Sequence, residues 1–173
     1  MPWLKSFVKE YELDYIIFGC HYYKSDEIAN RYYGRMTSDD EMLANYVKDV
    51  IAGMETGLYS YLAHPDLFMR GRKVFDEQAK KASMAICEAA KRLGIPLEFN
   101  LEGFADNHHY HVEEYPHHCF WEIAAEIGND VIIGVDAHLP YSLERSDFYE
   151  AACEYLNGLG MHVLEELEIK RFE

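Results

Sequence analysis

Val131-Ile132-Ile133-Gly134-Val135-Asp136-Ala137-His138 is the stretch on which the reading of this chain turns. A short, continuously apolar, β-branched run is the pattern of a parallel strand covered on both faces. It ends in two metal-ligating residues separated by one alanine. Two other runs have the same form: Tyr15-Ile16-Ile17-Phe18-Gly19-Cys20 stops at His21, and residues 59–63 stop at His64. Ligand-type residues at successive strand ends place a site at the carboxyl edge of a parallel sheet, where α/β folds build their sites.

Strand-like and helix-like patterns alternate along the chain. Residues 21–37 form a polar, tyrosine-rich connection. Ser38 and Glu41 then form a capping box for a helix whose stripe is Met42, Leu43, Tyr46, Val47, Val50, Ile51 and Met54, ending near Gly57. A strand over 58–63 leads through a loop at Pro65 to a helix over 75–93, with Ala79, Ala82, Ile86 and Ala90 inward and Gly94 closing it. In the strand at 96–101, Leu97, Phe99 and Leu101 share one face. Glu98 and Asn100 share the other and would line a barrel interior. Pro116 opens a helix carrying Phe120, Ile123, Ala124 and Ile127. Residues 131–135 are the fourth strand, Ser146 caps a last helix with Ala152, Tyr155 and Leu156, and 162–164 is a weak fifth strand.

This β-then-α order predicts one α/β domain over residues 1–173, with parallel strands and right-handed crossovers. Five strands fit either part of a barrel or an open doubly wound sheet, and periodicity does not separate the two.

The chain has 173 residues, 49% of them hydrophobic and 14% aromatic, the composition of a globular protein. Its formal net charge of −15 argues against a nucleic-acid partner, whose phosphates need lysine and arginine. No signal peptide or long uncharged apolar segment is seen, so the expectation is a cytoplasmic protein that binds no membrane. Cys20, Cys87, Cys119 and Cys153 form no Cys-x-x-Cys pair and read as buried thiols in a reducing compartment.

His21, His64, Asp136 and His138 combine imidazole and carboxylate, ligands that zinc, manganese and iron accept. In its motifs the chain resembles the histidinol-phosphatase branch of the polymerase and histidinol phosphatase (PHP) family. The likeness rests on Asp14-Tyr15-Ile16-Ile17-Phe18-Gly19-Cys20-His21, Leu62-Ala63-His64-Pro65-Asp66-Leu67-Phe68, Leu97-Glu98-Phe99-Asn100, Tyr115-Pro116 and Gly134-Val135-Asp136-Ala137-His138, in that order. It implies a distorted (β/α)7, TIM-like barrel holding up to three divalent ions. It also implies a phosphoric monoester hydrolase of histidine biosynthesis acting on a small phosphorylated metabolite. By the resemblance, His21 and His64 bind one metal, Asp136 a second and His138 a third. Hydroxide on the metal cluster attacks phosphorus, with Asp136 as the catalytic candidate that orients it.

The family's first-strand His-x-His and its bridging glutamate have no counterpart here, so the expectation is a partial barrel lacking N-terminal βα units. The alternative is a catalytically incomplete PHP remnant acting as a metal-binding or interaction module, or one half of a two-chain enzyme. Such a chain would be completed as a homo-oligomer or by a complementing N-terminal chain. The arginine that often follows the family's Glu-x-Asn strand is also missing, which leaves Arg70, Arg72 and Asn100 as candidate substrate contacts. His109-x-His111, in the histidine-rich stretch 108–118, reads as a surface loop that binds metal adventitiously. Tyr22, Tyr23, Tyr32 and Tyr33, with Arg31 and Arg35, are candidates for a lid.

Overall fold

Val131 does open a strand, and that strand pairs in parallel with the one containing Glu98 and Asn100. The computed structural model describes residues 2–24, 31–144 and 146–169. Strand β1 (Leu97–Asn100) lies beside β2 (Val131–Gly134), with Leu97 opposite Val131 and Asn100 opposite Gly134. Parallel bridges extend the pairing on both sides: Phe18 to Leu62, Leu62 to Leu97, and Val131 to Val163. The adjacent segments therefore follow chain order. A doubly wound sheet reverses its strand order at a switch point, and no reversal occurs among these five segments.

The strands expected at 15–20, 58–63 and 162–164 are reduced to single bridges. In the first, Tyr15 and Ile17 are 46% and 45% exposed, with no sheet neighbour on their outer side among the described residues. In the second, Leu62 is bridged on both sides: it donates to Pro96 O at 3.0 Å and accepts from Glu98 N at 2.9 Å on one, while Phe18 bonds the flanking Tyr61 O and Ala63 N at 3.1 and 2.8 Å on the other. The backbone then leaves the extended region at His64, where φ is 32°. No bridge joins Val163 to Phe18 among the described residues, so the architecture is a mixed α/β arc of parallel segments.

Helices cover the arc. Helix α1 (Pro2–Glu10), unforeseen in the sequence, buries Val8 and carries Trp3 and Phe7 on its outer side, with ring centroids 5.3 Å apart. Helix α2 (Tyr33–Met36) interrupts the connection expected at 21–37, because Tyr33 is fully buried and its hydroxyl donates to Asp49 at 2.6 Å. Helix α3 (Asp40–Glu55) is capped by Asp39, which accepts from Met42 N at 2.9 Å, and Ser38 stands outside the cap. A short α4 (Met69–Arg72) follows. Helix α5 (Glu77–Leu93) starts after its cap at Asp76, later than the residue-75 start expected, and ends at the left-handed Gly94, whose φ is 62°.

Helix α6 (Leu101–Tyr110) begins at the residue expected to end the strand at 96–101 and runs into the stretch expected as a loop, because Asn100 is a capping residue as well as the last residue of β1. Helix α7 (His118–Ile127) is capped by His117, which moves Pro116 outside the first helical position. After a 3₁₀ turn at Pro140–Glu144, α8 (Ser146–Gly158) begins with Ser146 already helical. Helices α3, α5 and α7 pack in succession, and α6 packs on α8. Leu97 and Phe99 lie under them as expected, with Phe99 5.0 Å from the buried Trp121 ring. Among the described residues no helix is long and apolar enough to cross a membrane. All four cysteines are free; Cys20 and Cys87 are buried, while Cys119 and Cys153 are only half-buried.

Asp66 is a carboxylate inside this core. Its Oδ2 accepts the His117 backbone N–H at 2.7 Å, and burial nonetheless pushes its pKa up to about 7. The folded state then holds a proton that the unfolded chain has already released. Stability from this group is greatest below the ordinary aspartate range and is lost as pH rises through 7. Urea unfolding between pH 5 and pH 8 should show stability falling with pH, and Asp66→Asn should flatten that slope. An unchanged slope in the variant would rule out Asp66 as its source.

Candidate functional site

A chain of buried polar contacts joins the carboxyl ends of three strand segments. The backbone N–H of His64 donates to Glu98 Oε2 at 2.9 Å. Asn100 Nδ2 donates to that same oxygen at 3.2 Å and to Asp136 Oδ2 at 3.0 Å, while Asn100 Oδ1 accepts from Gly103 N at 2.8 Å to cap α6. One amide thus uses both its hydrogens and its oxygen to tie β1, the end of β2 and the start of a helix. Asp136 reaches the relay from a left-handed backbone, φ 49°, just beyond β2. This conformation is uncommon outside glycine but accessible to aspartate and asparagine.

His21 and His64 meet at this edge, their rings inclined at 64° and 4.7 Å apart between centroids. Gly19 lies beneath both. A Cβ there would come within 2.7 Å of His21 Cε1 and 3.4 Å of His64 Cε1, so glycine is what allows the two imidazoles to approach. The Tyr115 ring stands edge-on to His64 at 6.2 Å. His138 Nδ1 lies 2.9 Å from the Asp136 carbonyl. A carbonyl only accepts, so this nitrogen donates and Nε2 of the neutral ring keeps its lone pair.

The electrostatics suit cation binding. Burial, reinforced by His21, lowers the His64 pKa to about 4, so its imidazole is neutral at ordinary pH. Its Nδ1 is buried and has no hydrogen-bond partner. Glu98 is pushed up to about 7, chiefly by burial and further by Asp136, against the opposing bonds from His64 N and Asn100. The unpartnered imidazole nitrogen of His64, the imidazole of His138 and the carboxylate of Asp136 are each of a ligand type that divalent ions accept.

His21, His64, Asp136, His138 and Asn100 therefore come to one edge of the sheet. They do not contract into a single-ion shell. Among the described residues, His117, His118 and Cys119 are the group whose three ligand atoms all lie within 4.8 Å of one another, and these residues could hold a metal ion. In the sequence, this group falls at the end of the histidine-rich stretch expected to be a surface loop. The overlooked signal is that Cys119 directly follows two histidines where a helix begins. His108 and His109 are in the last turn of α6, and His111 is its left-handed C-cap, so His109-x-His111 is not in a loop.

The two arginines separate. Arg70, on α4, lies beside Tyr32 and Tyr115 and reaches Glu114 at 3.6 Å. Arg72 is committed elsewhere: its guanidinium pairs with Asp40 at 2.7 Å and Asp76 at 2.6 Å, and it donates to Thr37 O at 3.1 Å. Of the tyrosines considered as a lid, Tyr33 belongs to the core. Tyr22 and Tyr32 pair as an antiparallel bridge, and Arg31 lies over the Tyr23 ring. Residues 25–30, between the two sides of that bridge, fall outside the described residues.

No family model matches this chain, and no curated protein matches it either.

Gly134 is the position where the relay is most sensitive to shape. A Cβ there would collide with the Glu98 carboxylate, the group that anchors the His64 backbone. Gly134→Ala should destabilise the fold by about 1–3 kcal/mol, the usual cost of overpacking. Thermal or urea unfolding checks this, and a variant as stable as the parent would contradict it.

Proposed function

We propose that this chain is a metal-dependent phosphomonoester hydrolase of the PHP type, nearest in its motifs to histidinol-phosphate phosphatase. The observation that carries the reading is the buried, unpartnered Nδ1 of His64, in a ring 4.7 Å from that of His21. It lies at the strand edge to which Asn100 ties Asp136. A buried polar atom without a partner is costly, and a bound cation removes that cost. The unreversed strand order supports an arc of a distorted (β/α)7 barrel over a doubly wound sheet.

His21 and His64 would hold one divalent ion of the zinc, manganese or iron type, and Asp136 and His138 would engage others of the up to three that the family implies. Such ions supply Lewis acidity toward phosphoryl oxygens and make bound water more acidic. The chain's own residues do the positioning. Glu98 fixes the backbone of His64, and Asn100 aims the Asp136 carboxylate by donating to one oxygen, which leaves the other free. Arg70 offers the phosphate of a small metabolite a guanidinium at the tyrosine-lined side of the edge. Its contact with Glu114, at 3.6 Å and partly exposed, is weak enough to exchange.

A second reading, a metal-binding or interaction module completed by another copy or a complementing chain, is favoured by the outer sheet edge. Tyr15 and Ile17 are exposed there beside the segment bridged to Leu62. Sedimentation distinguishes it: self-association or capture of a complementing chain supports completion of this edge, and a stable monomer opposes it.

Phosphate release from histidinol phosphate, measured with added manganese or zinc, tests the hydrolase reading. The parent chain should release phosphate and Asp136→Asn should not. Asparagine tolerates the φ of 49° at this position, so the fold is retained. Equal, negligible release from both proteins rejects the reading.

A further inference from the structure

We infer that His117, His118 and Cys119 form a second metal site, separate from the strand-end residues and selective for a zinc-class transition ion. Their ligand atoms all lie within 4.8 Å of one another at the start of α7. His118 Nε2 and Cys119 Sγ lie 3.1 Å apart. Nitrogen and sulfur bound to one tetrahedral zinc stand about 3.5 Å apart, given zinc–ligand bonds of about 2.0 and 2.3 Å. A few tenths of an ångström of opening therefore turn this contact into a chelating pair.

The surroundings prepare the ligands. His118 Nδ1 is bonded to the Glu113 carboxylate, which leaves the ring's lone pair on Nε2, facing the cysteine sulfur. Carboxylate-to-histidine pairing of this kind orients and strengthens metal-bound imidazoles. His117 is held between aromatic planes, 5.1 Å from Phe75 and 4.9 Å from His118, so little side-chain freedom remains to be lost on binding. Its Nδ1 accepts the Cys119 N–H at a long 3.3 Å, a bond that is easily exchanged.

Thiolate and imidazole prefer zinc or cobalt to the harder magnesium and calcium. On binding, the Cys119 thiol releases its proton to solvent and a metal–sulfur bond forms, with no change of oxidation state. The three residues also line a pocket of about 460 Å³ that includes Lys73, Phe75 and Glu114. Three protein ligands beside a pocket leave a coordination position for water or a small ligand, the pattern of an exchangeable site.

Titrating the chelator-treated full chain with cobalt(II) tests this. A thiolate-to-cobalt charge-transfer band should appear, saturate near one equivalent and vanish on adding zinc. Cys119→Ser should abolish the band. His118→Ala, at an exposed position that tolerates change, and Glu113→Gln should each weaken binding by about tenfold or more. A His21→Ala/His64→Ala variant should keep the band, so the outcome does not depend on the strand-end residues. No band, a band that persists in Cys119→Ser, or parent-like affinity in His118→Ala would each overturn the proposal.

Discussion

Every hydrogen-bonding atom of the Asn100 side chain is committed, and the candidate site depends on that. Its two N–H groups reach Glu98 and Asp136, and its oxygen starts α6. Glu98 in turn holds the backbone of His64. The residues in this relay come from three separate segments, so no one segment folding alone would position them. In a low-dielectric interior such a network is strong when complete and costly when broken. Asn100 and Glu98 are fully buried for this reason, although both types usually face water.

That burial sets the chemistry of the edge. The same desolvation raises Glu98 and lowers His64, in each case favouring the neutral form. A neutral imidazole with an unpartnered nitrogen is an available ligand. Two glycines supply the room: Gly19 under the histidine pair, and Gly134 beside the Glu98 carboxylate. The interval between Asp136 and His138 also acquires a meaning, since the Asp136 carbonyl selects the tautomer of His138.

Much of the architecture was legible beforehand. The alternating run at 97–100 and the continuous apolar run at 131–134 became strands, because a period of two and β-branched residues both suit a buried parallel ladder. The helices over 40–55 and 77–93 follow their stripes closely. Caps were the weak point. Asp39 displaced Ser38, and Asn100 turned an expected loop into α6, because adjacent residues offered equivalent capping oxygens and only the local backbone chose between them. Helix α1 was not legible, and the segments at 15–20, 58–63 and 162–164 were located but not their extent, since each keeps only one bridged residue.

Sequence alone determined the alternation of strands and helices, the parallel character of the sheet and the presence of ligand-type residues at strand ends. These follow from local periodicity and residue chemistry. Tertiary structure decided which ligands converge. It placed Arg70 beside Tyr32 and Tyr115 while pairing Arg72 with Asp40 and Asp76, and it brought the ligand atoms of His117, His118 and Cys119 together at a helix start. The physical reason is that convergence depends on the direction in which each side chain leaves its backbone. That direction is set by left-handed turns at His64 and Asp136 and by long-range hydrogen bonds, neither of which has a periodic trace in the chain.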